Sequence, residues 1–230
     1  MSLVEHLSAR GYFVIAAARR VEKMESHFYN KKNISIEYLD LDDIKSIPEF
    51  LNKLIKLYKT IPYLVNNAGV NINKPVKKIK YNDLLNSLNV NVISHFLIMQ
   101  KIVQIMQKYN FGRIVNLTSG APLNCFEGFA CYSASKSALN ALTVTTAREY
   151  SSSNIKINLM SPGPVKSEMA PNAPMDPSAC FPTIDYLLAL DRDGPTGKFF
   201  WLGYEVPLFP DLDGVEWLKG QGNNKLRKIL

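Results

Sequence analysis

Short apolar runs separated by helix-length amphipathic segments constrain this chain more than any other feature. Tyr12–Ala17, Ile34–Leu39, Tyr63–Val65, Ile114–Leu117 and Ile155–Met160 read as strands. Tyr12–Ala17 (YFVIAA) is continuously apolar, the pattern of a strand covered on both faces. Between the strands, Leu3–Arg10, Ile44–Tyr58, Tyr81–Lys108 and a segment carrying Tyr132 to about Tyr150 read as helices. In Ile44–Tyr58, the residues Ile47, Leu51, Leu54, Ile55 and Tyr58 form one apolar stripe. Strand–helix alternation of this kind predicts an α/β fold, a parallel sheet with helices on both faces. In such sheets ligands bind beyond the C-terminal ends of the strands. Asp40, Asn67, Ser119 and Pro162–Gly163 all fall at or just past those ends.

Composition narrows the class. A chain of 230 residues, 47% hydrophobic and 20% charged, is long enough for a single domain with a full core. Three cysteines, Cys125, Cys131 and Cys180, show no metal-ligand spacing and cannot all pair, which suggests a reducing compartment. No apolar run approaches the roughly 20 residues of a membrane span, so a cytoplasmic location is expected. The net charge of +7 raises the question of nucleic acid. The cluster Lys74, Lys77, Lys78, Lys80 and the tail Lys225, Arg227, Lys228 lack interleaved aromatics, which favours a solvated basic surface.

From Pro162 to Pro182 the composition changes. Six of the 13 prolines lie there, so the stretch can be neither a regular helix nor a central strand. A loop covering the site is the preferred reading over a plain connector. A last helix (Thr183–Leu190) and strand (Lys198–Leu202) precede a tail without periodicity.

The stretch Arg113–Lys136 holds the chemistry. A hydroxyl, Ser119, ends a strand; Tyr132 and Lys136 follow one helical turn apart on one face. Reducing a ketone leaves an alkoxide that needs a proton as charge develops. A phenol with an ordinary pKa of about 10 is a poor base at neutral pH, and a nearby ammonium favours its ionised form. A Tyr-x-x-x-Lys pair arises readily by chance, so its surroundings decide.

Those surroundings resemble the short-chain dehydrogenase/reductase family. Asp40–Leu41, Asn66-Asn67-Ala68-Gly69, Asn91, Ser119 thirteen residues ahead of Tyr132, Lys136, and Ser161-Pro162-Gly163-Pro164-Val165 with Ser167 occur in the family's order. The resemblance implies a Rossmann-like, doubly wound parallel sheet in a three-layer α/β/α arrangement. It implies an oxidoreductase interconverting a carbonyl compound and an alcohol, with Tyr132 as general acid/base and Ser119 orienting the substrate oxygen. Lys136 would hold the nicotinamide ribose, and Asn91 would position a water that relays protons to Lys136. Asp40, Leu41, Asn67, Ala68, Gly69, Tyr132, Lys136, Pro162, Gly163, Val165 and Ser167 would line the cofactor. NADP is preferred to NAD, because the second family strand ends Ala18-Arg19-Arg20 with no acid until Glu22. Arg19 would then meet the 2′-phosphate. Pro171–Pro174 and Gly194–Phe200 tilt the substrate toward carbonyl compounds over acyl-carrier thioesters. The short Ser119–Tyr132 interval leaves no insertion, so the long helices are free to pair in a homodimer or homotetramer; a monomeric mass by light scattering would refute this.

The family pattern breaks at its start. No Gly-x-x-x-Gly-x-Gly occurs among the 12 glycines, and Met1 stands where that turn ends. The strand expected before it belongs in mid-sheet, between the Tyr12 and Tyr63 strands. Its omission predicts a gap of two strand spacings, roughly 10 Å, with unpaired edges. Either the start is internal to a longer product, or the chain is a decayed relative serving as a non-catalytic binding protein. If the chain begins at Met1, weak or no NADP(H) binding is expected. A nucleotide-sugar epimerase or dehydratase, which also uses Tyr-x-x-x-Lys, is disfavoured by the Asn-Asn-Ala-Gly turn and the short C-terminal region.

Overall fold

A computed structural model describes residues 1–210, 212, 224 and 225. The elements run α1 (Ser2–Ala9), β1 (Val14–Ala18), α2 (Val21–His27), β2 (Ile34–Tyr38), α3 (Ile47–Tyr58), β3 (Tyr63–Asn66) and α4 (Tyr81–Leu88). They continue with α5 (Ser94–Lys108), β4 (Gly112–Leu117), α6 (Ala121–Asn124), α7 (Ala130–Glu149), β5 (Ile155–Ser161), α8 (Phe181–Leu188), β6 (Phe199–Trp201) and β7 (Tyr204–Val206). This is the expected Rossmann-like α/β fold, with parallel pairing throughout except between β6 and β7. The antiparallel β7 lies in the stretch read as an aperiodic tail. Arg227 and Lys228 lie outside the described residues.

The sheet is divided. β1 pairs only with β2, while β3-β4-β5-β6-β7 form a second sheet. The bonds Val14 N–H to Asn33 O and Leu39 N–H to Ala18 O face β1 toward β2. By alternation, Ile15 and Ala17 direct their main-chain groups to the opposite edge. On β3, the Pro62 carbonyl faces Arg113, which turns Tyr63 and Val65 the other way. Among the described residues no ladder joins these two edges; instead Tyr12 and Tyr63 meet edge to face, 5.2 Å between ring centroids.

The division explains a difference from the sequence reading. The YFVIAA run was expected to be buried on both faces, yet within β1 only Ala16 is buried. A strand with one neighbour and an open edge cannot be enclosed. β4 and β5 are buried at every residue, as central strands between helical layers should be. Their Ile114, Ile157 and Ile155 pack on Met99, Ile102 and Met106 of α5 and on Leu51 of α3. Each such side chain contributes about 1.5–3 kcal/mol on burial.

Two helices depart from expectation. The single helix foreseen over Tyr81–Lys108 is interrupted by a π-helical turn, Asn89–Ile93, between α4 and α5. Such bulges re-aim side chains within a helix and concentrate at functional sites. The Pro-rich stretch is irregular as foreseen, but its last proline, Pro182, sits in the first turn of α8, where a missing N–H is harmless.

Candidate active site

Parallel strands place their C-terminal ends along one rim, and the expected residues gather there. β4 leads into Thr118–Ser119, and the Thr118 hydroxyl donates to Asn140 Oδ1 at 2.6 Å, anchoring the strand end to α7. Ser119 Oγ accepts the Ala121 N–H at 3.1 Å, opening α6. Its hydrogen bond to Tyr132 favours the phenolate, but burial of the ring outweighs this and raises the phenol's pKa above its ordinary value. Ionisation of Tyr132 is thus governed here by burial rather than by the lysine charge, and the phenol keeps its proton at neutral pH.

Lys136 is buried, and Nζ donates to the Leu117 carbonyl at 2.7 Å. Burial pushes its pKa down to about 8. Nζ lies 5.9 Å from the centroid of the Tyr132 ring. Asn91, fully buried in the π turn, accepts the Val70 N–H (2.8 Å) and donates to the Val70 carbonyl (2.9 Å) and to Ser135 Oγ (2.9 Å). It thereby fastens the loop after β3 to α7. Asn89, two residues away, reaches Asp42 instead.

The loop Asn67-Ala68-Gly69 leaves β3 with Asn67 and Ala68 exposed. A Cβ on Gly69 would stand 3.1 Å from Asn91 Oδ1, a tight contact, and 3.6 Å from Lys136 Nζ, so the main chain here lies close to both side chains. Across the rim, Gly163 has φ +76, and a Cβ there would stand 3.2 Å from Trp201 Nε1. Pro162 is half-buried, Val165 bridges to Met175, and Ser167 Oγ accepts the Ala170 N–H.

The remaining candidates lie on the β1–β2 unit. Arg19 is mostly exposed, its Nε 4.0 Å from Asp40 Oδ1. Asp40 accepts the Asp42 N–H at 3.0 Å, and Leu41 packs on the main core. Sequence reading missed Arg20 and Lys23, which both donate to Glu168 in the Pro-rich loop, Lys23 at 2.5 Å. A carboxylate 145 residues further on leaves no local signal of this latch. The two cations hold the Glu168 pKa down to about 2. A depressed carboxylate pKa means the pair is intact above the ordinary value of 4.5 and is lost as pH falls through about 2. Glu168→Gln is therefore expected to raise amide exchange across residues 164–176 several-fold at neutral pH, with wild-type exchange otherwise following only intrinsic rates from pH 6 to 8. Unchanged exchange in the variant would show that the exposed pair does not restrain the loop.

Among the described residues, no group of three or more His, Cys, Asp or Glu could hold a metal, and no helix is long and apolar enough to cross a membrane.

The fold is Rossmann-like, and comparison with known proteins gives the family. The short chain dehydrogenase family model matches residues 1–177, so the chain belongs to that family. Among curated relatives, 3-amino-tetrahydro-pyrrolizinone reductase of Xenorhabdus hominickii is 33% identical over 164 residues, covering 70% of this chain and 56% of the relative. The 3-oxoacyl-(acyl-carrier-protein) reductase FabG of Thermotoga maritima is 32% identical over 136 residues, 59% of this chain and 55% of the relative. Carbonyl reductase family member 4 of Danio rerio is 29% identical over 168 residues, 71% and 69%. The chain spans little more than half the length of the first two. Among solved structures, 4-hydroxyisoleucine dehydrogenase complexed with NADH and succinate superposes with TM-score 0.80 at 23% identity, over 88% of this chain and 92% of that one. ElxO with NADP bound gives 0.78 at 26% identity, over 86% and 90%.

Proposed function

We propose that this chain is an NADP(H)-dependent oxidoreductase that interconverts a carbonyl compound and an alcohol. The observation that carries the reading is the convergence of Ser119, Tyr132 and buried Lys136 on one rim, beside a loop whose Gly69 lies close to Asn91 and Lys136.

The residues fit a nicotinamide nucleotide at that rim. The gap at Gly69 offers main chain beside Lys136, and Arg19 supplies an exposed cation at the end of β1. Lys136 would hold the nicotinamide ribose; Asn67, Ala68 and Gly69 would flank it. Pro162, Gly163, Val165 and Ser167 would border the nicotinamide end, with Asp40 and Leu41 at the adenine end. The cofactor, when bound, supplies or accepts the hydride. Ser119 orients the substrate oxygen by hydrogen bonding. Tyr132 donates the proton in reduction, and its burial keeps that proton in place at neutral pH. Asn91 ties the β3 loop to α7, which holds that loop beside Lys136. Relatives named reductases for acyl-carrier thioesters and for carbonyl compounds share a carbonyl substrate, and the second class is the one we favour. Tyr81, Leu84, Leu85 and Ile93 expose an apolar face along α4 and the π turn, which supports assembly as a homodimer or homotetramer.

A second reading, a non-catalytic binding relative, is favoured by the divided sheet, which leaves the β1 and β3 edges unpaired beside the cofactor side. One titration separates the two. Purified protein is mixed with NADPH or NADH and nicotinamide fluorescence is followed, then a panel of aldehydes and ketones is added. The enzyme reading expects saturable NADPH binding and substrate-dependent oxidation. Arg19→Ala should weaken NADPH about tenfold while leaving NADH unchanged, the loss of one exposed charge-assisted contact. No binding of either nucleotide would sink the enzyme reading, and equal loss for both would remove Arg19 as the 2′-phosphate contact.

A further inference from the structure

A row of aromatic rings leads away from Tyr132 and takes no part in the chemistry above. Phe126, Phe129 and Tyr132 recur every third residue where the chain turns into α7. Phe129 meets Tyr132 edge to face, 6.2 Å between ring centroids and 74° between planes. Phe126 meets Phe129 in the same way, at 6.1 Å and 71°. Among the described residues, neither phenylalanine belongs to an apolar cluster of the core. Phe129 is half-buried, and Phe126 is 55% exposed. Core packing therefore does not account for these rings, and covering them would remove apolar surface from water.

The row is held in place from both sides. The Phe129 N–H donates to the Phe126 carbonyl at 3.1 Å, and the Phe129 carbonyl accepts the Ser133 N–H at 2.7 Å, so the turn runs directly into α7. Ser133 Oγ donates to the Ala121 carbonyl at 3.2 Å, which ties the start of α7 to α6. Between the two phenylalanines, Gly128 has φ +80, and its carbonyl accepts the Lys74 N–H at 3.0 Å. A Cβ there would run into Asn73 Oδ1, so glycine lets the turn lie against the loop after β3. Rings fixed in this way lose little freedom when a ligand covers them.

Charge narrows the ligand. Glu127, exposed in the same turn, is the one charged side chain between Ser119 and Tyr132. Lys74, on the facing loop, gives its ammonium to both Asp83 carboxylate oxygens at 2.8 Å. An anionic group on the row would meet the like charge of Glu127 while Lys74 is already neutralised. A neutral aryl group would gain a further edge-to-face contact. We infer that Phe129 and Phe126 select carbonyl compounds that carry a neutral aryl group, Phe129 receiving the ring next to the carbonyl and Phe126 a ring beyond it. The carbonyl rests on the proposed function; the aryl contact stands apart from it.

Acetophenone and cyclohexyl methyl ketone, an aryl ketone and its saturated counterpart, form the test pair. Conjugation alters the carbonyl itself, so the reading is the fall in their kcat/KM ratio, measured with NADPH, between wild type and Phe129→Leu. That fall should be roughly two- to tenfold, the increment of an edge-to-face ring pair over equal apolar area. Phe126→Leu should keep the ratio and lower only the further gain of 2-acetonaphthone over acetophenone. A second readout needs no turnover. In protein with 13C-labelled phenylalanine, acetophenone should shift the ring signals that Phe129→Leu removes, and shift them more than the other phenylalanine signals. An unchanged ratio in folded Phe129→Leu overturns the inference, as do Phe129 signals that do not move. Should that variant not fold, the Phe126 signals, assigned through Phe126→Leu at its exposed position, decide by their response to 2-acetonaphthone. A chain inactive on every ketone but showing these shifts would defeat the proposed reaction and leave this inference standing.

Discussion

Tyr132→Phe is expected to lower turnover of a carbonyl substrate by about 10²–10⁴-fold, the usual contribution of a positioned general acid. The change removes one oxygen from a ring that is largely buried in α7, so the fold and the affinity for nicotinamide should persist. What is lost is the proton donor: with the phenol absent, Ser119 still orients the substrate oxygen but leaves the developing alkoxide without a proton. The wild-type pH profile should carry the signature of the same site. Tyr132 has a raised pKa and stays protonated through neutral pH, while Lys136 gives up its charge near pH 8. Reduction should therefore be fastest below pH 8 and decline above it, first as Lys136 discharges and later as the phenol ionises. Steady-state rates across pH, with circular dichroism to confirm folding, decide the matter. A loss smaller than tenfold in Tyr132→Phe would transfer the acid role to another group.

What was legible in the sequence follows from the range of the interactions involved. Strand identity rests on local pattern, whereas Ser119, Tyr132, Lys136 and Gly69 stood out through the family resemblance, and the structure brings them to one rim. Asn91 was visible as a polar residue in an apolar helix, but the π turn that buries it was not, because no local composition distinguishes it from regular helix. His95 reads in sequence as one more helical residue; only the packing shows that it is buried. Arg20, Lys23 and Glu168 join the ends of β1 and β5 through contacts nearly 150 residues apart, beyond any periodicity argument. The partial exposure of YFVIAA went unread because burial depends on a neighbouring strand rather than on the run itself.

Native-state hydrogen exchange is expected to divide the molecule along the same line, with β1–β2 amides exchanging roughly 100-fold faster than those of β4 and β5, a gap of about 2.7 kcal/mol in opening free energy. The β4–β5 amides lie in a sheet buried at every residue and packed against α5 and α7, so they should exchange only through global opening. A two-stranded pair is marginal alone, and β1–β2 is tied to the rest by side chains only. Those ties include Tyr12 and Val14 on the apolar cluster of α8 and β4, the Tyr12–Tyr63 contact, the Tyr58 hydroxyl on Ser35 at 3.1 Å, Leu39 in the main core, and surface ion pairs such as Lys53–Glu37 at 2.6 Å. Exposed pairs add about 0–1 kcal/mol each, so sub-global opening of this unit costs less than unfolding the protein. The consequence for function is asymmetric. Arg19, Arg20 and Asp40 ride on the looser unit, while Asn91, Tyr132 and Lys136 belong to the firmer one. A bound dinucleotide would span both, and holding the looser unit in place would subtract from its affinity. NADPH should accordingly protect β1–β2 amides more than β4–β5 amides. Equal protection of the two units in the free protein would mean that packing across the gap couples them as firmly as a hydrogen-bond ladder, and would remove the physical reason for a weak grip at the adenine end.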